Sequence, residues 1–204
     1  MAVRPILELP HPALRRRAKK VRKIDSSVLR LAHDMVDTMR DAAGVGLAAN
    51  QVGDFRRVIV IQLPEEDEAR VYVNPEIVHR EGTREVEEGC LSIPGYKGFI
   101  SRSLWIRFRA LDHTSKTVRL RAEEMLSQAL EHEVDHLNGI LYVDHLGEHQ
   151  KLIPVSSEPD AEPDGATSTE GASGQPEVPG VNGPQQLSDQ GADQRESPAS
   201  LKVG

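Results

Sequence analysis

The sequence predicts an α+β protein in which a helix packs against antiparallel sheet. Three observations support this prediction. Apolar residues recur at helical spacing within 28–39 and again within 125–137, short β-branched stretches lie between them, and no aromatic residue follows residue 154. One early helix, then strands, then one late helix is the order typical of this fold class.

The first predicted helix begins at Ser26 or Ser27, because either hydroxyl can cap a helix N-terminus, and it ends at Gly44. Residues 57–62 and 69–73 are short and rich in β-branched side chains, which predicts two strands.

A hairpin and a second helix complete the predicted body. Apolar and polar residues alternate over 104–110, and 112–116 turn the chain into a second strand at 117–122. The late helix covers 125–137 and ends near Asn138-Gly139, and we expect a strand at 140–143 after it.

Charge and composition divide the chain into a body at 1–154 and a tail at 155–204. The body carries equal numbers of basic and acidic side chains, so the tail carries the whole formal net charge of −7. The tail is rich in Ser, Pro, Gly, Asp and Glu, and it has too few apolar residues to offset the entropy of ordering it. We therefore expect one folded domain and an acidic, disordered tail.

The same composition limits the partners and the location. An electrically neutral body does not attract DNA in general, and no apolar run is long enough to span a membrane. The N-terminus lacks the apolar stretch of a secretory signal, which predicts a cytoplasmic protein.

The late helix carries the HExxH pattern of metal-dependent hydrolases. His132 and His136 are four residues apart, so both rings project from one helical face and can reach one metal ion. Glu133 lies beside the first histidine and can act on a water molecule at the metal. The alternative is that both histidines lie on a solvated face.

A catalytic metal commonly has three protein ligands, and the third could be Cys90, His145 or His149. Cys90 is the stronger candidate because it lies in a segment with glycines that permit close backbone approach. A lone cysteine is also often a packed apolar side chain. Gln51 lies in a third segment of small residues and offers an amide donor to a developing oxyanion, although this segment alone resembles a helix end followed by a bend.

Taken together, three segments resemble the peptide deformylase family. Residues 44–53 read GVGLAANQVG, residues 88–92 read EGCLS and residues 131–139 read EHEVDHLNG. These match the family segments GxGLAAxQxG, EGCLS and QHExDH in order, and the resemblance extends over residues 4–147. It implies antiparallel sheets around a central HExxH helix.

The resemblance implies that Cys90, His132 and His136 bind one divalent metal ion, with Fe²⁺ expected and Zn²⁺, Ni²⁺ or Co²⁺ as substitutes. The family reaction removes the formyl group from the N-terminal formyl-methionine of nascent polypeptides by attack of metal-bound hydroxide, releasing formate. Glu133 would act as general base and then general acid. The side-chain amide of Gln51 and the backbone N–H of Leu91 would hold the oxyanion.

The substrate itself is expected in a pocket next to this centre. The side chains of Val45, Val86 and Met125 are expected to surround the methionine. The backbones of Val45, Gly46 and Gly89 could pair with an extended substrate as an added strand.

Two departures from the family pattern leave alternatives open. Asn50 replaces the usual Pro or Thr and could loosen the loop that directs Gln51, and Glu131 replaces Gln and could add negative charge near the metal. A catalytically weak, metal-binding or ribosome-associated relative is therefore one alternative. An HExxH peptidase is another, disfavoured because it lacks a convincing third ligand downstream.

A basic cluster at 15–23 places seven cations in nine residues. A solvated surface is the simpler interpretation. Because the substrate emerges from the ribosome, the cluster could also make a weak contact with ribosomal RNA.

Overall fold

The computed structural model describes residues 2–147 and 151–155. The candidate ligand His149 and the part of the predicted tail that follows Val155 lie outside the described residues. Within the described part, the helices are α1 (Ser26–Asp41) and α2 (Glu124–Asn138). The strands are β1 (Gly46–Ala48), β2 (Val58–Ile61), β3 (Arg70–Glu81), β4 (Arg84–Cys90), β5 (Ile93–Arg102), β6 (Trp105–Leu111), β7 (Thr117–Glu123) and β8 (Ile153–Pro154).

The strands form two antiparallel sheets, which confirms the predicted α+β class. One sheet has the order β1-β2-β3-β6-β7, and the other has the order β4-β5-β8. Leu130, Val134 and Leu137 of α2 pack against Ile106 and Phe108 on one face of the larger sheet. This packing fixes the orientation of the HExxH helix, because its apolar stripe must face the sheet.

The boundaries of α1 differ from the prediction. Asp25, not Ser26 or Ser27, is the N-cap, and its carboxylate accepts hydrogen bonds from the backbone N–H groups of Ser27 and Val28. The helix ends at Asp41 rather than Gly44, because Ala43 adopts a left-handed conformation with φ of 51°.

The end of α2 is as predicted, but the segment after it is not. Gly139 has a left-handed conformation with φ of 79°, and glycine is the residue that most often adopts this conformation at the end of a helix. The strand predicted at 140–143 is wrong, since a 3₁₀ helix covers Tyr142–His145. The side chains of Leu141 and Tyr142 are both buried, so burial of this turn, and not strand pairing, accounts for the apolar run.

The predicted strands and hairpin are present, and β3 is longer than expected. Strands β4, β5 and β8 were not predicted from the sequence. The β4–β5 segment contains several charged residues and glycines, and its pairing is interrupted by a register shift between Gly89 and Cys90. Within the described residues, no helix is long and apolar enough to cross a membrane.

Candidate metal centre and active site

Helix α2 brings both histidines to one point because they are one turn apart. The Nε2 atoms of His132 and His136 are 3.2 Å apart, and both face the same side. His136 and Glu133 are buried, and His132 is partly buried. The alternative of two solvated surface histidines is therefore wrong.

Cys90 reaches the same point from the end of β4. The pairing of β4 with β5 shifts register between Gly89 and Cys90, and an irregularity of this kind redirects the side chain that follows it. The Sγ of Cys90 lies 3.2 Å from the Nε2 of His136, and the donor atoms of all three residues lie within 4.8 Å of one another. A thiolate and two imidazoles at this separation fit a divalent transition metal such as iron, zinc, nickel or cobalt.

The side-chain contacts around the three donors also fit a metal. The Nδ1 of His132 lies 2.8 Å from the Oε2 of Glu88, which leaves its Nε2 free to act as a ligand. The backbone N–H of Ser92 is directed at the sulfur of Cys90 at 3.4 Å, and the amide of Gln51 at 3.7 Å. Hydrogen bonds of this kind from neighbouring groups orient a metal ligand.

A buried arginine joins the two segments that supply the ligands. Arg102 donates to Glu88 at 2.7 and 3.0 Å and to Asp135 of α2 at 2.6 Å. Burial alone would raise the pKa of Glu88, but the hydrogen bonds with His132 and Arg102 outweigh it and lower the pKa to about 2. Glu88 is therefore ionised and holds the ring of His132 in place.

Glu133 lies next to the ligands and has the properties of a proton carrier. Its side chain is 3% exposed, and its Oε2 has no hydrogen-bond partner within the described residues. Burial raises the pKa of Glu133 to about 7, and nearby His132 lowers it only in part. A carboxyl group with this pKa can accept and release a proton near neutral pH.

Gln51 is held firmly beside Cys90. Its Oε1 accepts a hydrogen bond from the backbone N–H of Ala48 at 2.8 Å, and its Nε2 donates to the hydroxyl of Ser92 at 3.1 Å. Gly53 ends the short 3₁₀ helix that carries Gln51, with φ of 78°. The amide therefore faces the centre in a single orientation.

A cleft of about 740 Å³ opens beside these groups. The predicted residues that line it are Val45, Gly46, Gln51, Gly89, Cys90, Leu91, Met125, His132 and Glu133. The prediction that Val86 lines this cleft is wrong. Its side chain is 8% exposed and packs in the core with Ile93, Ile100 and Leu141.

Of the other candidate ligands, His145 does not take part, and His149 lies outside the described residues. His145 lies 2.8 Å from the Oδ2 of Asp135 and is absent from the group of converging donors. Asp135 thus connects to both Arg102 and His145, and it is not itself a member of the group of converging donors.

The two departures from the family pattern have structural roles that differ from those expected. The side-chain amide of Asn50 donates to the backbone carbonyl of His136, so it ties the loop to α2 rather than loosening it. Glu131 accepts hydrogen bonds from Arg80 and from the backbone N–H and hydroxyl of Ser103. Its charge is therefore paired away from the metal ligands, and neither residue supports the alternative of a weakened enzyme.

Three residues of the site were not identified from the sequence. Ser92 contacts both Gln51 and Cys90, Asp135 anchors Arg102, and the ring of Tyr142 stacks 6.4 Å from that of His132. Ser92 and Asp135 lie inside the segments that resemble the family, so this position could have identified them as site residues. Tyr142 lies outside all three segments, so nothing in the sequence pointed to its place beside His132.

Comparison with known proteins agrees with this geometry. Residues 3–152 match the family model described as polypeptide deformylase. A peptide deformylase of Dehalococcoides mccartyi (strain CBDB1) is 49% identical over 155 residues, which is 76% of this chain and 93% of the relative. The Cys90, His132 and His136 site is the metal site typical of this family.

Solved structures give the same result. A crystal structure of a peptide deformylase from Legionella pneumophila aligns with a TM-score of 0.70 and 46% identity, over 72% of this chain and 88% of that one. A Met-Ala-Ser-bound class I type b peptide deformylase from Acinetobacter baumannii aligns with a TM-score of 0.68 and 32% identity, over 71% and 99%. Because sequence, fold and metal-binding residues all agree, this protein belongs to the peptide deformylase family.

Proposed function

We propose that this deformylase removes the formyl group from the N-terminal formyl-methionine of newly made polypeptides, with Glu133 as general base and acid and with Gln51 and Leu91 as oxyanion donors. The observation that carries the proposal is the convergence of three donor atoms within 4.8 Å beside the buried carboxylate of Glu133, whose Oε2 has no hydrogen-bond partner in the described part of the chain. We place this function in residues 1–154, with 155–204 as an acidic tail.

Cys90, His132 and His136 would hold the metal. When bound there, a divalent ion activates water and polarises the formyl oxygen. Fe²⁺ is the ion that we propose, with Zn²⁺, Ni²⁺ or Co²⁺ as substitutes, since one thiolate and two imidazoles suit all of them. Metal analysis of protein purified without oxygen tests this choice.

Glu133 moves the proton in the proposed reaction. Its carboxylate takes a proton from the attacking water while a bond forms between the water oxygen and the formyl carbon. The amide of Gln51 and the backbone N–H of Leu91 donate hydrogen bonds to the developing oxyanion, and one such donor contributes roughly 3–4 kcal/mol. Glu133 then protonates the amine as the carbon–nitrogen bond breaks, which releases formate and a free N-terminus.

The arrangement of the two sheets supports binding of an extended peptide. Strand β1, with Gly46, is at the edge of the larger sheet, and β4, with Gly89, is at the edge of the smaller one. Both edges border the cleft, so the peptide backbone can pair as an added strand. Val45 and Met125 line the same cleft and are the proposed contacts of the methionine side chain.

Formate release from formyl-Met-Ala-Ser tests the function. The metal-loaded protein should release formate from this peptide and leave unformylated peptides uncut. Glu133→Ala should abolish release while its metal content stays at the wild-type level. A fully active Glu133→Ala variant would show that the proton carrier is a different group.

We also propose that the protein acts in the cytoplasm and contacts the ribosome weakly through residues 15–23. All seven cations of this segment are exposed, and Arg15 pairs with Asp144. Reversing the charges of Arg17, Lys20 and Lys23 should weaken co-sedimentation with ribosomes at low salt and leave deformylation unchanged. Unaltered sedimentation would remove this contact from the proposal.

A further inference from the structure

The solvent face of strands β6 and β7 carries an array of four arginines, two on each strand. Arg107 lies directly opposite Arg121, and Arg109 lies directly opposite Arg119. All four are exposed, and the alternate residues of both strands pack inward toward α2. Like charges directly opposite each other destabilise a sheet, so local folding alone does not favour this arrangement.

The nearby acids neutralise only half of this array. Arg109 pairs with Glu76 at 2.6 Å, and Arg121 pairs with Glu123 at 2.8 Å. Within the described part of the chain, Arg107 and Arg119 form no ion pair. Two guanidinium groups are therefore free to bind a partner with negative charge.

The array continues into the basic segment through Glu76. The hydrogen bond from Arg109 lowers the pKa of this carboxyl group, and Lys20 and Arg57 lower it further through their charge, which places both close by. Arg17, Lys20 and Arg57 also line a cavity of about 250 Å³ next to Glu76. The array and this cavity together form one surface, the basic face, composed of Arg17, Lys20, Arg57, Arg107, Arg109, Arg119 and Arg121.

The basic face lies away from the substrate cleft. The cleft is bordered by β1, β4 and α2, whereas the arginines project from the side of the larger sheet that α2 does not cover. A partner on the basic face would therefore leave the cleft open to a peptide.

The chemistry of the face favours phosphate groups of a helical nucleic acid. Guanidinium groups bind phosphate through paired hydrogen bonds, and along each strand the arginines repeat every second residue, about 7 Å apart. Proteins that bind single strands use free aromatic rings for stacking. Here the only tryptophan, Trp105, is already covered by Arg121 at 4.2 Å and contacts His79 at 5.1 Å. The face therefore suits a phosphate backbone better than unpaired bases.

From this geometry we infer that the basic face binds the phosphate backbone of helical RNA, which holds the enzyme at the ribosome while the cleft stays free. The choice of RNA rests on the proposed function, because nascent polypeptides are made on an RNA surface. The inference adds the sheet arginines to the contact, beyond the segment 15–23.

Fluorescence anisotropy with a labelled RNA hairpin, at several salt concentrations, tests the inference on the full-length chain. The double variant Arg107→Glu with Arg119→Glu should bind the hairpin roughly tenfold more weakly or worse, and the slope of log affinity against log salt should fall by about two. The control is Arg30→Glu with Lys151→Glu, which changes the charge equally at exposed positions elsewhere and should bind like wild type.

Deformylation of formyl-Met-Ala-Ser separates this inference from the proposed function. Both double variants should keep the wild-type rate, whatever the RNA result. Equal loss of RNA binding in the test and control variants would overturn the inference. It would also be overturned by tighter binding to phosphatidylglycerol vesicles than to RNA, or by no RNA binding at low salt.

Discussion

Adding a single methyl group at Gly46 should slow catalysis without changing metal binding. A Cβ added there would lie 2.9 Å from the Cδ of Glu133 and 3.0 Å from its Cγ, with the Oε1 closer still. Carbon atoms in contact are normally about 3.5–4.0 Å apart, so the carboxyl group must move back by roughly 0.5–1 Å. Gly46 has an ordinary negative φ, so alanine fits the backbone itself.

The expected effect of Gly46→Ala is large on the rate and small on the fold. A displacement of about 1 Å in a catalytic group can reduce the rate about 100-fold, which corresponds to about 2.7 kcal/mol at the transition state. The crowding should lower the free energy of unfolding by about 1–3 kcal/mol. Because Glu133 is not a metal ligand in the proposed mechanism, the metal content should not change.

The assay is formate release from formyl-Met-Ala-Ser by protein loaded with metal to the wild-type level. Gly82→Ala is the matched control, because Gly82 has φ of 65° in the turn between β3 and β4, and a Cβ there meets only the exposed Leu104. This control should lose about 1–3 kcal/mol of stability and keep its kcat. If Gly46→Ala kept the wild-type kcat, the position of the Glu133 carboxylate would not be what limits the reaction.

Two further predictions concern the charges that support the fold. Arg102→Leu leaves Glu88 as a buried, uncompensated charge, so the protein should lose about 3–5 kcal/mol of stability and bind metal more weakly, measured by chemical unfolding and by competition with a chelator. The exposed Arg30→Ala is its control, and similar losses in both variants would contradict the network. Burial alone would raise the pKa of Asp54, but hydrogen bonds from Arg56 lower it overall. The ionised pair therefore stabilises the fold above the pKa of about 4 that Asp54 has in the unfolded chain. This stability is lost as the pH falls below that value. Asp54→Asn should therefore unfold about 1–2 kcal/mol more easily than wild type at pH 7. Chemical unfolding over a series of lower pH values should show this difference shrinking as the pH falls below about 4, whereas the exposed Asp67→Asn should match wild type throughout.

The sequence identified the metal ligands because each lies in a short segment whose chemistry is local. Two histidines one turn apart on a helix share a face whatever the rest of the chain does. The cysteine was identified only through its surrounding segment, since a single thiol is compatible with several roles. Its distance to His136 was not predictable from spacing, because the register shift in β4 and the packing of α2 set it.

The substrate cleft was predicted less well, because lining a cavity depends on which face of a strand points toward it. Val86 was expected in the cleft and lies in the core, whereas Gly89, three residues later on the same strand, lines the cleft. The sequence of β4 mixes charges and glycines without a clear alternation, so neither the strand nor its inward face could be predicted.

The sequence alone determined the α+β class, the late helix with its glycine end, and the residues that bind the metal, since all of these depend on local periodicity or on short motifs. Only the tertiary structure decided that Asn50 ties its loop to α2, that Glu131 is paired with Arg80, and that arginines from two strands form one array. The physical reason is that these contacts join residues far apart in the chain. Sheet register and helix packing bring them together, and neither can be obtained from the residues of a single segment.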